Sequence, residues 1–263
     1  MAQNKKTIYY KDELNDDFSN SKIETVTIDK NYKYIRRSLL WKICSFIVYR
    51  MVFSIPAYIY TKVKLGLKVE NKEVLKKHKK VGYFIYANHT QEIADTFFPT
   101  IANFPKRIYI IAHPNNVSIK YMRTLNKMLG ALPVPGDLVS SKNFLEAIQY
   151  FIKKKNVIAI YPEAHVWPYY TGIRNFKSVS FKYPVKLDTS VFSCTTTYQK
   201  HKNKVRTILY IDGPFYPDKR LNLKQAQEKL RNEVYQKMVA RSKMSNIEVI
   251  KYIKEEQKIK SKI

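Results

Sequence analysis

The chemistry-bearing stretch of this sequence is "YFIYANHTQEIADTFFP", Tyr83 to Pro99. The β-forming run Val81–Ala87 ends at Asn88-His89, and two carboxylates follow, Glu92 and Asp95. A histidine beside a carboxylate is the usual general-base pair. The acid fixes the imidazole tautomer and stabilises the imidazolium formed on proton uptake. Glu92, three residues on, shares a helical face with His89, and Asp95 lies farther along. A histidine satisfied at a strand end with no chemistry accounts for the pattern equally well.

A second polar cluster lies in "VIAIYPEAHVWPYYTGIRNFKSVSF", Val157 to Phe181. An apolar run ends at Tyr161-Pro162-Glu163, and Arg174 and Lys177 follow on a loop rich in Trp, Tyr and Gly. Cations on such a loop suit a phosphate, although solvated surface charges explain them as simply. A third stretch, "MLGALPVPGD" (Met128 to Asp137), ends a strand sharply at two prolines.

The elements that must position these residues alternate. Strands are expected at Val81–Ala87, Arg107–Ala112, Ala131–Val134, Val157–Tyr161, Val191–Thr197 and Val205–Ile211. Several are continuous apolar runs, as in strands covered on both faces. Helices are expected at Lys72–Lys79, Asp95–Asn103, Ser118–Leu129 (closed by Gly130), Ser140–Lys154, Leu223–Met238 and Asn246–Lys258. That order predicts an α/β fold, a mostly parallel sheet flanked by helices. Sites in such sheets lie beyond the strand C-termini, where Asn88-His89 and Glu163 both fall.

Before the alternation comes "SLLWKICSFIVYRMVFSIPAYIY", Ser38 to Tyr60, the most apolar stretch. It is long enough to cross a bilayer, but Lys42 and Arg50 interrupt it and Pro56 is expected to kink it. Basic flanks and many aromatics suit an interface, so a monotopic or re-entrant helical pair is preferred to a span. The expected organisation is a polar N-terminal tail over 1–34, a membrane-associated helical segment over 35–68, an α/β domain over 69–220 and basic C-terminal helices over 221–263.

The chain has 263 residues, 45% of them hydrophobic, and a net charge of +27. That supports a real core and attraction to polyanions. No helix-turn-helix, zinc-finger or RNA-binding aromatic signature is evident, so anionic membrane lipids are expected as partners and nucleic acid is not. Cys44 and Cys194 stand far apart in apolar surroundings, as two reduced thiols do. The five histidines show no metal-ligand spacing, and no metal or cofactor is expected. Residues 1–30 have no apolar core of a signal peptide.

In this order the three stretches resemble the glycerolipid acyltransferases typified by 1-acylglycerol-3-phosphate acyltransferase. That family carries N-H-x4-D in its first block and F-P-E-G-T-R in its third, followed by an F-K element. Asn88-His89, Tyr161-Pro162-Glu163 and Phe176-Lys177 match, with about 70 residues between the blocks. The resemblance covers about residues 35–215. It implies His89 as general base held by Asp95, whose sequence Asp95-Thr-Phe-Phe-Pro looks like the family's continuation. It implies Asn88, Glu92, Glu163, Arg174 and Lys177 as residues around the substrate.

The implied reaction moves a fatty acyl group from acyl-CoA or acyl carrier protein to a lysophospholipid, on the cytoplasmic face of a membrane. The pattern departs in three places. Five residues, not four, separate His89 from Asp95, which calls for a bulge or a shifted helix start. Ala164-His165-Val166 replaces Gly-Thr-Arg, and Pro135-Gly136-Asp137 stands where the second block has its arginine. Arg174, Lys177, Lys120 and Arg123 are the candidate substitutes for the missing cations. Three alternatives therefore stand beside this reading: the same chemistry on glycerol 3-phosphate or a glycolipid, an inactive relative, and a nonenzymatic basic membrane-binding protein.

Overall fold

The computed structural model describes residues 6–18 and 25–255. In chain order its strands are β1 (Lys6–Tyr10), β2 (Lys68–Glu70), β3 (Tyr83–Ala87), β4 (Ile108–Ala112), β5 (Ala131–Pro133), β6 (Val157–Ile160), β7 (Val191–His201), β8 (Lys204–Phe215) and β9 (Ile250–Lys254). The α-helices are α1 (Leu39–Ile47), α2 (Ile55–Ile59), α3 (Phe98–Asn103), α4 (Arg123–Leu129), α5 (Leu138–Lys153), α6 (Lys182–Lys186) and α7 (Leu223–Ser242).

Seven strands form one sheet in the order β2-β8-β7-β3-β6-β4-β5. Every neighbouring pair is parallel except β7 with β8, which form an antiparallel hairpin. The sheet is thus mostly parallel, as the apolar runs predict. β3 lies between β7 and β6, and all five of its residues are buried. Both faces of the sheet are therefore covered. On one face Tyr83 and Ile85 pack with Phe98, Ile101 and Leu75. On the other, Phe84 and Tyr86 pack with Phe144, Ile148 and Phe151 of α5 and Leu230, Val234 and Met238 of α7. The helix α7 therefore completes the core of the α/β domain.

Local chemistry sets the joints. Gly130 closes α4 at φ 97°, and a Cβ there would lie 2.7 Å from the Ile108 carbonyl oxygen. The N-cap of α5 is Asp137, whose carboxylate accepts from the Ser140 N–H and Oγ at 2.8 and 2.6 Å. The helix therefore starts ahead of the expected Ser140. An aspartate three residues before the serine supplies the stronger cap.

The apolar stretch is one continuous helix, Leu39–Lys64, rather than a pair. It alternates α-helical and π-helical segments: α1, a π-helical Val48–Ser54, α2 and a π-helical Tyr60–Lys64. Pro56 lies inside this continuous helix, directly after the π-helical Val48–Ser54, where the regular α-helical ladder is already interrupted. Ser45, Tyr49, Ala57 and Thr61 face the domain and are buried. Leu39, Leu40, Ile43, Phe46, Ile47, Met51, Val52, Ile55, Ile59 and Val63 form the opposite face and are exposed. A helix long and apolar enough to cross a membrane is therefore laid along the protein by one side.

One expectation near the C-terminal end fails. The segment expected as a helix from Asn246 contains the strand β9, and Lys258 lies outside the described residues. The polar tail contains β1, which pairs with β9 in parallel, Lys6 opposite Ile250 and Tyr10 opposite Lys254.

Candidate active site

Asn88 and His89 leave β3 at its C-terminal end. Asn88 is buried, and its side chain brackets Thr196 of β7: Nδ2 donates to the carbonyl at 3.0 Å and Oδ1 accepts from the N–H at 2.7 Å. It pins the strand end in place and has no surface for substrate. This corrects its expected substrate role.

His89 meets Asp95, not Glu92. Nδ1 of the imidazole lies 2.8 Å from Oδ2 of Asp95. The same oxygen accepts from the N–H groups of Thr90 and Gln91 at 2.8 and 2.9 Å. The chain turns sharply at Gln91–Ile93, and Asp95 sits in a short 3-10 helix, Ala94–Thr96, before α3 begins. The extra residue between His89 and Asp95 is absorbed by this shifted helix start. Glu92 is exposed on this turn, and Asp95 rather than Glu92 meets the imidazole.

Burial drives the electrostatics. Asp95 is buried, and loss of water pushes its carboxyl above the usual carboxylate value, against the hydrogen bonds from His89, Gln91 and Thr90 that favour the anion. With Asp95 ionised, Nδ1 carries the imidazole proton and Nε2 is the nitrogen left to accept one. The His89 side chain is 20% exposed, so the imidazole is not sealed from a reactant.

Glu163 arrives from the C-terminal end of β6, which pairs with β3 in parallel. Its Oε2 accepts the main-chain N–H of His89 at 2.9 Å, and its Oε1 accepts the main-chain N–H of Arg174 at 2.9 Å. The Arg174 guanidinium lies 3.5 Å from Oε2, and both side chains are at most 1% exposed. Arg174 also donates to the carbonyl oxygens of His165 and Glu13 and stacks 4.9 Å from the Trp167 ring. The pair is therefore a sealed internal strut, which corrects the expected substrate contacts of Glu163 and Arg174. Lys177 is exposed at the head of the 3-10 helix Ser178–Phe181 and has no ion pair among the described residues.

Two residues beyond the expected set complete the site. Tyr161 lies 4.6 Å from the His89 ring, centroid to centroid, and its hydroxyl donates to the Asp95 carbonyl. Trp167 donates its N–H to the His89 carbonyl at 3.0 Å and its indole N–H to the Asp16 carbonyl at 3.0 Å. The Trp167 ring is enclosed by Tyr10, Phe18, Tyr170 and Tyr252. The sequence signals available were the tyrosine before Pro162-Glu163 and the aromatic cluster at 167–170. His165 pairs with Asp17 at 3.3 Å.

The dyad lies beside the apolar helix. Phe97, two residues after Asp95, packs against Phe53 and Tyr60 at 5.1 and 6.0 Å. His89 is thus held close to the element that carries the exposed apolar face.

The family model described as Acyltransferase matches residues 66–197. No curated protein matches the chain. Among solved structures, the 1-acyl-sn-glycerophosphate (LPA) acyltransferase PlsC from Thermotoga maritima is similar, with 17% identity, 77% of this chain and 94% of that chain covered, and a TM-score of 0.47.

Proposed function

This chain belongs to the Acyltransferase family, and from that premise we propose that it moves a fatty acyl group from a thioester, acyl-CoA or acyl carrier protein, to a hydroxyl of a lysophospholipid such as 1-acylglycerol 3-phosphate. The observation that carries the reading is the His89–Asp95 contact at 2.8 Å, set beside the exposed apolar helix.

In the proposed step, Nε2 of His89 takes the proton of the acceptor hydroxyl as the oxygen attacks the thioester carbonyl. The carbon–sulfur bond breaks, and the leaving thiolate takes the proton back from the imidazolium. Asp95 holds Nδ1–H throughout and offsets the positive charge on the ring. Glu163 fixes the His89 backbone from beneath, and Tyr161 packs beside the imidazole. Acyl chain and acceptor reach His89 from the membrane surface on which the exposed face of Leu39–Lys64 rests. A helix packed along the protein at Tyr49, Phe53 and Tyr60 lies in the plane of a bilayer rather than across it.

A second acceptor class, a glycolipid without a phosphate monoester, is favoured by one observation. Arg174, the cation nearest the third block, is committed to Glu163 and offers no phosphate contact. The test is His89→Ala in membranes, assayed with labelled acyl thioester against lysophosphatidate, glycerol 3-phosphate and a glycolipid in parallel. Loss of transfer to one acceptor identifies it; undiminished transfer in the variant removes His89 as the base.

A further inference from the structure

A groove of about 510 Å³ opens at the amino end of the apolar helix. Trp41, Cys44 and Met128 form its apolar wall, and Lys33, Arg36 and Arg37 ring it with positive charge. Arg36 lies over the Trp41 ring at 4.6 Å, which holds one guanidinium at the boundary between wall and rim. The charge deepens inward. Lys127 lies 4.6 Å from the Tyr32 ring, and burial together with Arg36 and Arg123 depresses its pKa. Among the described residues, none of Lys33, Arg36, Arg37, Arg123 and Lys127 takes part in an ion pair. Exposed cations without an acid partner are free to take an anion through charge-assisted hydrogen bonds.

The first turn of α1 strengthens the case. It contains no acidic residue, and Ser38 makes no side-chain cap, so the positive end of the helix is left open beside the arginines. The apolar wall is continuous with the exposed Leu39, Leu40 and Ile43. An occupant must therefore join an anion to a hydrocarbon chain. The groove is distinct from the catalytic centre. Trp41 lies twelve positions before Phe53, the residue that packs beside the dyad, roughly 18 Å along a helix at 1.5 Å per residue.

We propose that this groove seats an anionic phospholipid of the bilayer, its phosphate on Lys33, Arg36 and Arg37 and one acyl chain against Trp41, Cys44 and Met128. The seat rests on the reading of the helix as lipid-facing. It sets the orientation of the protein on a membrane and selects membranes that contain acidic lipid.

Cys44 reports occupancy directly, because it lines the groove and is partly exposed while Cys194 is buried. The experiment measures maleimide labelling of the full chain in neutral detergent micelles doped with phosphatidylglycerol or with phosphatidylcholine of the same chains. Phosphatidylglycerol is expected to slow Cys44 labelling about tenfold more than phosphatidylcholine. The double variant Arg36→Gln, Arg37→Gln is expected to abolish the difference, and Arg36→Lys with Arg37→Lys to retain it.

Equal protection by both lipids, or selectivity that survives the glutamine variant, overturns the seat and leaves the lipid-facing helix intact. Full protection by soluble glycerol 3-phosphate alone also overturns it, since no chain is then needed. Absence of micelle association with either lipid, read by gel filtration, overturns both readings.

Discussion

His89 and Glu163 are joined through the main chain: the N–H of His89 donates to Oε2 of Glu163 at 2.9 Å. The carboxylate does not touch the imidazole; it sets where the imidazole stands. Glu163→Gln keeps the shape but turns an amide N–H toward one of two N–H donors. A misplacement of the base by about 1 Å costs on the order of a hundredfold in rate. The variant is expected to lose kcat by about that factor with a smaller change in KM, measured by steady-state kinetics on matched acceptor. An unchanged kcat would show that the strut does not position the base.

Arg174 separates a structural cation from a substrate ligand. Its side chain and that of Glu163 are at most 1% exposed. Removing one member of such a pair leaves the other charge buried alone, which costs about 3–5 kcal/mol. Arg174→Ala is expected to lower unfolding stability by about that amount in denaturant titration. A variant of unchanged stability whose KM for a phosphorylated acceptor rises would restore the phosphate role expected from the sequence.

Asp95 and Glu92 are distinguished by side-by-side substitution. Asp95→Asn removes the acceptor that holds Nδ1–H and is expected to reduce transfer by about 10²–10⁴-fold. Glu92→Gln changes an exposed turn and is expected to leave transfer within about twofold. A radiolabel assay decides the matter, and loss of activity only in the Glu92 variant would refute the dyad.

The same residue predicts opposite signs for activity and stability. Burial raises the Asp95 carboxyl above the value it has in the unfolded chain. The unfolded chain then ionises first as pH rises, so Asp95 favours the fold most at low pH and progressively less as pH climbs from the unfolded to the folded pKa. Activity needs the anion and therefore falls as pH drops through that raised value. Wild type is expected to gain stability relative to Asp95→Asn on acidification, while its transfer rate declines. Chemical denaturation and activity measured over the same pH series check both signs. A stability difference that does not vary with pH contradicts the burial argument.

The exposed helix face is testable without disturbing the core. Ile43 and Ile47 are each 49% exposed and lie on the side away from the domain. Burying two such side chains in lipid contributes about 1.5–3 kcal/mol each. Ile43→Asp with Ile47→Asp is expected to cut vesicle partitioning roughly a hundredfold. Flotation with liposomes reads this, and undiminished flotation would place the membrane contact elsewhere.

Much of this arrangement was legible in the residues. The β3 and β6 runs are short, apolar and rich in Ile, Val and Tyr, and they carry His89 and Glu163 to neighbouring strand ends. The short runs at Ile108 and Ala131 were likewise visible. β1 and β9 were not, because "KTIYY" and "IKYIK" are half-exposed and become strands only by pairing with each other. The fate of Arg174 was equally hidden. A guanidinium on an aromatic loop looks the same whether it faces solvent or turns inward, and only the Trp167 enclosure decides. The His89–Asp95 spacing was visible as an anomaly, but its resolution depended on the N–H groups of Thr90 and Gln91 converging on one carboxylate oxygen.

The β1–β9 ribbon lies apart from the seven-stranded sheet, yet its rings and the adjoining segment enclose Trp167, whose main chain holds His89. Its two strands come from distant parts of the sequence, so pairing them closes a very long loop. Releasing it breaks no strand pairing of the main sheet. The two ends of the described sequence thus meet as a clasp over Trp167, the residue whose main-chain N–H holds the His89 carbonyl.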